Sequence, residues 1–225
     1  MPTIEDRAGA TRAAFGRGTV APMGIVDRVS LRSRRRKLGL FMEAMRPTAE
    51  TTVLDDGVDD FGFGEHPGCA TLNFFEELYP WQERITALGL HEGLTFRERY
   101  PGARYVQGDA TALPFADDSF DITFSNAVIE HVGPRDKQRA FVEEALRVSR
   151  RVFLTTPNRW FPVEVHTRAP LVHWLPDRYA YRAYDLIRKP WAKENHLLGP
   201  GDLESLFPVP VRIVNLGLTL VAIVD

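Results

Sequence analysis

The spacing of apolar and polar positions changes near Pro47. Before it, from Ile25 onward, Leu38, Leu40, Phe41, Met42 and Met45 form a helical apolar stripe behind a basic run, and Pro47 ends that helix. After it, short β-rich runs alternate with helical ones. Strands are predicted at 51–55, 84–88, 104–107, 120–125 and 151–155, an alternation that marks a mostly parallel sheet with crossover helices. The clearest helix covers 136–150, where Phe141, Val142, Ala145, Leu146 and Val148 gather on one side and charges fill the other. A shorter one covers 94–100 and stops at Pro101 and Gly102. The chain closes with apolar runs at 209–215 and 218–224, joined tightly at Leu216 and Gly217, which read as an antiparallel β-hairpin. The expectation is an α/β domain over 47–225 with an insert at about 159–198, preceded by an N-terminal arm and basic helix over 1–46.

Composition narrows the partners. A chain of 225 residues with 44% hydrophobic content can bury one sizeable core. With 28 basic and 30 acidic residues the net charge is −2, so no global field draws it to nucleic acid, and none is expected as a partner. The charge is uneven, however. Six of the ten positions from Arg28 to Lys37 are Arg or Lys, which fits either a solvated helix face or a phosphate or peripheral membrane contact. Cys69 is the single cysteine, which excludes an internal disulfide and a cysteine-based zinc cluster. Together with a polar start and the lack of any run of roughly 20 apolar residues, it points to the cytoplasm. The first 24 residues have no helical or strand period and read as a mobile arm or loosely docked lid.

Four stations after Pro47 carry chemistry. Thr52-Val53-Leu54-Asp55-Asp56-Gly57 is a strand ending in acids and a sharp glycine turn, continued by a long loop through Gly62, Gly64 and Pro67 to Asn73. The second strand runs out through Leu90, His91 and Glu92. The third leads into Gly108-Asp109-Ala110 and then Leu113-Pro114-Phe115 with Asp118-Ser119-Phe120-Asp121. The fourth enters Ser125-Asn126-Ala127-Val128-Ile129-Glu130-His131-Val132. In this order, and closed by the hairpin, these motifs resemble the class I S-adenosylmethionine (SAM) dependent methyltransferases, over about residues 50–160 and more loosely 200–225. The resemblance implies a Rossmann-like sheet and SAM as cofactor. It assigns Asp55, Gly57 and Asn73 to the cofactor loop, Leu90, His91 and Glu92 to the ribose end, Asp109 and Ala110 to adenine, and Asn126 to the floor beneath it. Asp109 can also be read as the cap of its following turn. The glycine loop departs from the family form, since only Asp55 and Gly57 match. Quinone-biosynthesis O-methyltransferases, which the chain also resembles, carry a further acid where Ala127 stands, and there the acids and histidine help bind a divalent metal. Glu130 and His131 alone make a poor site, so no metal is expected.

The insert mixes Trp160, Phe161, Trp174, Tyr179, Tyr181, Tyr184 and Trp191 with many arginines and lysines. It fits a cover for the acceptor pocket, a small helical unit packed on its own aromatics, or a homodimer contact. The implied reaction is methyl transfer to a small or lipophilic acceptor, most readily at oxygen, with a histidine removing the acceptor proton. His166 is the first candidate base, since it follows the fifth strand; His131 is second and His173 third. A methyltransferase-like protein without activity, serving a partner, is the rival reading, because two cofactor motifs are altered.

Overall fold

A computed structural model describes residues 25–60 and 73–225, with side chains from residue 31 onward in the first segment. The expected N-terminal arm and residues 61–72 of the glycine loop, with Gly62, Gly64 and Pro67, lie outside the described residues.

In chain order the elements are α1 (Ile25–Met45), β1 (Val53–Asp56), α2 (Phe74–Leu78), β2 (Ile85–Gly89), α3 (Leu94–Arg99), β3 (Arg104–Gln107), β4 (Phe120–Asn126), α4 (Arg135–Val148), β5 (Ser149–Pro157), α5 (Asp177–Leu186), α6 (Pro200–Glu204), β6 (Arg212–Asn215) and β7 (Thr219–Val224), with short 3-10 turns between some of them. The strands form one sheet in the order β3-β2-β1-β4-β5-β7-β6. The first five are parallel, while β7 runs antiparallel to both β5 and β6. This is the expected parallel sheet with its closing hairpin. Strand order reverses between β1 and β4, which opens a crevice at their carboxyl ends where α/β sheets take ligands.

Both faces of the sheet are covered. On one, Leu54, Leu88, Leu154 and Leu220 meet Phe141, Val142 and Ala145 of α4 and Leu203 of α6. On the other, Val53, Ile85, Phe124 and Phe153 meet Phe41 and Met45 of α1, Phe74 and Phe75 of α2, and Phe96 of α3. β1 is buried at every position because parallel strands between two helical layers have no solvent side.

The basic N-terminal helix is part of this core. Phe41 is fully buried, with ring centroids 5.1 Å from Phe75, 5.5 Å from Phe124 and 5.4 Å from Phe153, all edge-on, and Phe75 stacks on Phe124 at 4.0 Å. Leu38, Phe41 and Met45 recur at helical spacing, and Arg34 and Lys37 continue the same stripe upward. The reading of a solvated basic face therefore holds for Arg32, Arg35 and Arg36, which are exposed, and fails for Arg34 and Lys37. Lys37 is 6% exposed. Phe41→Ala is expected to remove about 3–5 kcal/mol from a urea-denaturation stability, as fully buried phenylalanines do; an unchanged midpoint would show that the helix is not docked.

Candidate active site

A cleft of about 1050 Å³ lies at the carboxyl ends of the parallel strands. Its floor comes from the turns after β1, β2, β3 and β4, and one end is closed by residues just after β5. Gly57 makes the first turn at φ +97°, and a Cβ there would come within 2.3 Å of Val128 Cγ2, so both backbone and space require glycine. Its amide and that of Val58 share the carbonyl of Leu88 at 2.9 Å each, which ties the loop to β2. Asn73 then pins the loop's far end, donating from Nδ2 to the Asp59 carbonyl at 2.8 Å and accepting the Asp59 amide on Oδ1 at 3.3 Å.

Gly57, Asn73, Leu90, His91, Asp109, Ala110, Asn126, His131 and His166 all line the cleft. Asp109 is held in its turn by the amide and hydroxyl of Thr111, both donating 2.8 Å bonds to Oδ1, which leaves Oδ2 for a ligand. Turn cap and ligand contact are thus compatible. Arg147 fixes the following loop through the carbonyls of Leu113 and Phe115 and the carboxylates of Asp117 and Glu144.

Two expected cofactor residues lie elsewhere. Glu92 is exposed and outside the cleft, because the chain rises away from the sheet before α3. Among the described residues the carboxylates that line the cleft are Asp59 and Asp109. Asp55 alternates to the α1 face of β1, where it is buried beside Glu76 and adjoins a void of only about 20 Å³. Burial first, and the Glu76 carboxyl second, push Asp55 up well above the usual carboxylate range. Glu76 rises to about 7 through burial. The two acids pack together in the core, where burial favours their protonated forms, and Asp55 does not line the cleft.

Two members of the basic run, which fits a solvated face or a phosphate or membrane contact, enter the cleft. Arg34 and Lys37 line the cleft beside Asn126, and both lie near the Phe74 ring, at 5.8 and 5.4 Å from its centroid. Lys37 Nζ donates to Asn126 Oδ1, which also accepts from Thr155 Oγ1 at 2.9 Å. Burial, then the charge of Arg34, lowers Lys37 to about 7, against the pull of Glu130. Burial lowers Arg34 to about 10, and its Nη1 is buried without a hydrogen-bond partner. Among the described residues no carboxylate is bound to the half-buried Arg34 or the buried Lys37, and desolvated cations cost energy unless an anion joins them. Their signal in the sequence was position: seven and four residues before Phe41, they fall on its helix face.

At the other end stand two histidines and two acids. β4 leaves the sheet through Ala127, held at φ +59° with its amide bonded to the Thr155 carbonyl at 2.9 Å, and this turn brings Glu130 and His131 under the cleft. Glu130 is fully buried; Oε2 accepts from Thr156 Oγ1 at 3.0 Å, whereas Oε1 has no hydrogen bond and stands 3.9 Å from Nε2 of both His131 and His166. Burial raises Glu130 to about 7, although His166 and Lys37 favour its charge. His166 is oriented by Glu164, whose Oε1 lies 2.7 Å from Nδ1. Glu164 also accepts the backbone amides of His166 at 2.9 Å and Thr167 at 2.6 Å. Burial opposes the Glu164 charge, but these bonds from His166 and Thr167 win and hold it at about 2. For His166 burial likewise opposes charge, and the Glu164 bond and Glu130 carboxylate outweigh it, raising its pKa above 6.5. Burial and then His166 drive His131 down to about 4. His173, the third candidate, is buried on the Phe161 carbonyl at 3.0 Å and does not line the cleft.

Such a set can move protons: an anionic carboxylate orients an imidazole that lines the cleft. Glu130, His131 and His166 also bring donor atoms within 4.8 Å of one another, so the sequence expectation of no metal site is now set against three donors rather than two. Ligands about 2.1 Å from one tetrahedral ion stand roughly 3.4 Å apart, closer than the 3.9 Å here, so a metal would require the donors to contract.

The comparisons with known proteins agree with this geometry. A family model described as a methyltransferase domain matches residues 66–152. Over that segment the chain resembles this family. The phthiotriol/phenolphthiotriol dimycocerosates methyltransferase of Mycobacterium tuberculosis is 41% identical over 66 residues, 29% of this chain and 21% of that protein. A Mycobacterium ulcerans relative is 45% identical over 69 residues, 29% of this chain and 26% of its own length. The chain thus aligns to about a quarter of the curated relatives it matches. By fold it is similar to a SAM-dependent methyltransferase of Methanosarcina mazei, at TM-score 0.50 and 16% identity over 82% of this chain and 95% of that one. The PH0226 protein of Pyrococcus horikoshii gives TM-score 0.52 and 16% identity over 86% and 89%.

Because Glu164 sets the His166 charge, proton NMR of the free protein should place the His166 titration above 6.5, and Glu164→Gln should move it down. A midpoint that ignores the substitution would remove the orienting role.

Proposed function

We propose that the chain is a SAM-dependent methyltransferase that methylates a hydroxyl of a lipophilic acceptor, with His166 as the base. The observation that carries this reading is the Glu164–His166 pair at one end of a cleft whose other end holds Asp109, Ala110 and Gly57.

The cofactor would lie along the strand ends. Asp109 Oδ2 and the Ala110 amide suit the donor and acceptor edge of adenine. Asp59, which lines the cleft where Glu92 does not, suits a ribose diol. Arg34 and Lys37 suit the carboxylate of the methionine part, and an anion there would relieve their buried charge. When bound, SAM supplies a methyl group made electrophilic by its sulfonium, so the protein has two tasks, alignment and deprotonation. A hydroxyl is a weak nucleophile until its proton leaves, which favours oxygen as the target of a site that has built an oriented base. His166 Nε2 takes that proton while Glu164 steadies the imidazolium. Glu130, raised to about 7 and 3.9 Å away, can take the proton onward. The lipophilic acceptor is supported by Val163, Val165 and Leu218 in the cleft wall, and by the phthiotriol and phenolphthiotriol dimycocerosates in the names of the mycobacterial relatives.

Turnover with His166→Ala should fall by about 10²–10⁴-fold with SAM affinity kept, and Glu164→Gln should shift the acidic limb of the rate profile to lower pH. That limb follows from the sign of the shift: neutral His166 is the active form, and it is depleted as pH falls through a raised pKa. The rate should survive dialysis against a chelator. A His166→Ala variant with normal turnover would remove the base, and loss of turnover on chelation would favour the metal arrangement.

SAM binding followed calorimetrically in buffers of different ionisation enthalpy supplies a second check. With Lys37 lowered to about 7, a carboxylate placed against it should draw in up to about half a proton at pH 7. Lys37→Met should abolish that uptake. No binding of SAM or of its demethylated product would leave the rival reading, a methyltransferase-like protein acting through a partner.

A further inference from the structure

We propose that the insert after β5 is a docking surface for an anionic phospholipid bilayer, which presents the mouth of the cleft to the membrane. This goes beyond the reaction assigned above and is tested without it.

The insert leaves most of its large apolar residues exposed. Its core consists of Ala180, Tyr184 and Ala192, with Val172 packed against them. Of the thirteen large apolar side chains that are exposed among the described residues, ten lie between Trp160 and Trp191. Leu186 at the end of α5 is 84% exposed, Trp160 57%, and Tyr179 and Trp191 46% each. Soluble surfaces rarely gather this much apolar area in so short a segment unless something covers it.

The chemistry around these side chains selects the cover. Residues 159–195 carry seven Lys or Arg and four Asp or Glu, a net of +3 in a chain whose total is −2, so the remainder carries −5. The cations stand beside the aromatics: Arg178 lies 4.6 Å from the Tyr179 ring centroid, Arg159 5.6 Å from that of Trp160, and Lys193 5.9 Å from that of Tyr181. Exposed Trp and Tyr with long basic side chains are suited to the boundary between headgroups and acyl chains, where rings and stems sit in the apolar zone and charges reach phosphate. A second copy of the same +3 surface would meet like charge, and that disfavours a symmetric dimer on this face. No described helix is long and apolar enough to cross a membrane, so the contact is peripheral. Val163, Val165 and Arg168, which line the cleft, belong to the same insert. A lipophilic molecule leaving the bilayer beneath it would meet the His166 end first.

The test is flotation of the full chain with phosphatidylcholine vesicles, with and without phosphatidylglycerol, alongside light scattering of the protein alone. The chain should float with the anionic vesicles and not with the neutral ones, and remain monomeric in solution. Arg178→Glu with Arg182→Glu, and separately Leu186→Glu with Trp191→Glu, should each weaken that binding at least about tenfold. Calorimetric SAM affinity and the melting curve should stay unchanged, because none of the four residues lines the cleft. Three results would overturn the proposal: no flotation, flotation indifferent to both double variants, or a solution dimer that Leu186→Glu with Trp191→Glu disperses.

Discussion

The burial of Phe41 among Phe75, Phe124 and Phe153 is the contact on which the candidate site depends. It joins three parts of the chain that are far apart in sequence: the basic helix, the short helix after the glycine loop, and the two central strands. Aromatic rings packed edge-on are worth more than their area alone and fix orientation as well as position. With the ring seated, helical periodicity leaves α1 little rotational choice, and Arg34 and Lys37 must face the cleft. The same ring holds Phe75 and hence α2, whose preceding residue Asn73 closes the cofactor loop on Asp59. A helix that sequence reading places ahead of the domain therefore supplies one wall of its cleft.

Electrostatics divides that cleft. One end holds two cations whose charge is disfavoured by burial, and the other holds Glu130, Glu164 and two histidines. Each end is poised for a different partner. Among the described residues the cations have no bound anion, so a carboxylate arriving there is favoured by the relief of their desolvation. The acids already have their imidazole, so what they offer is a proton acceptor of fixed direction. Lys37 and Glu130 influence each other across the middle, and each pulls the other toward its charged form.

Much of the fold was legible in the sequence because the central strands are buried on both faces and read as apolar runs, and because helix α4 carries a clean polar face. Asp109 and Ala110, singled out by their motif, line the cleft. What escaped had physical causes. Arg34 and Lys37 sit in a basic run that fits either a solvated face or a phosphate or membrane contact, and its density hides which members share a face with Phe41. Glu164 drew no attention as an isolated acid; its partnership with His166 depends on a turn in which one carboxylate gathers two backbone amides. Glu92 was assigned by nearness along the chain, whereas the cleft takes its carboxylates from the first and third turns. Asp55 followed from the motif, yet strand alternation turns its side chain toward Glu76 in the core.

Helix α1, held by Phe41, completes the proposed cofactor end of the cleft. A crystal structure of the chain with the demethylated product S-adenosylhomocysteine tests it most directly. The account predicts the amino-acid carboxylate against Arg34 and Lys37, with the adenine at Asp109 and Ala110. A ligand whose carboxylate is held elsewhere, with both cations still bare, would contradict it.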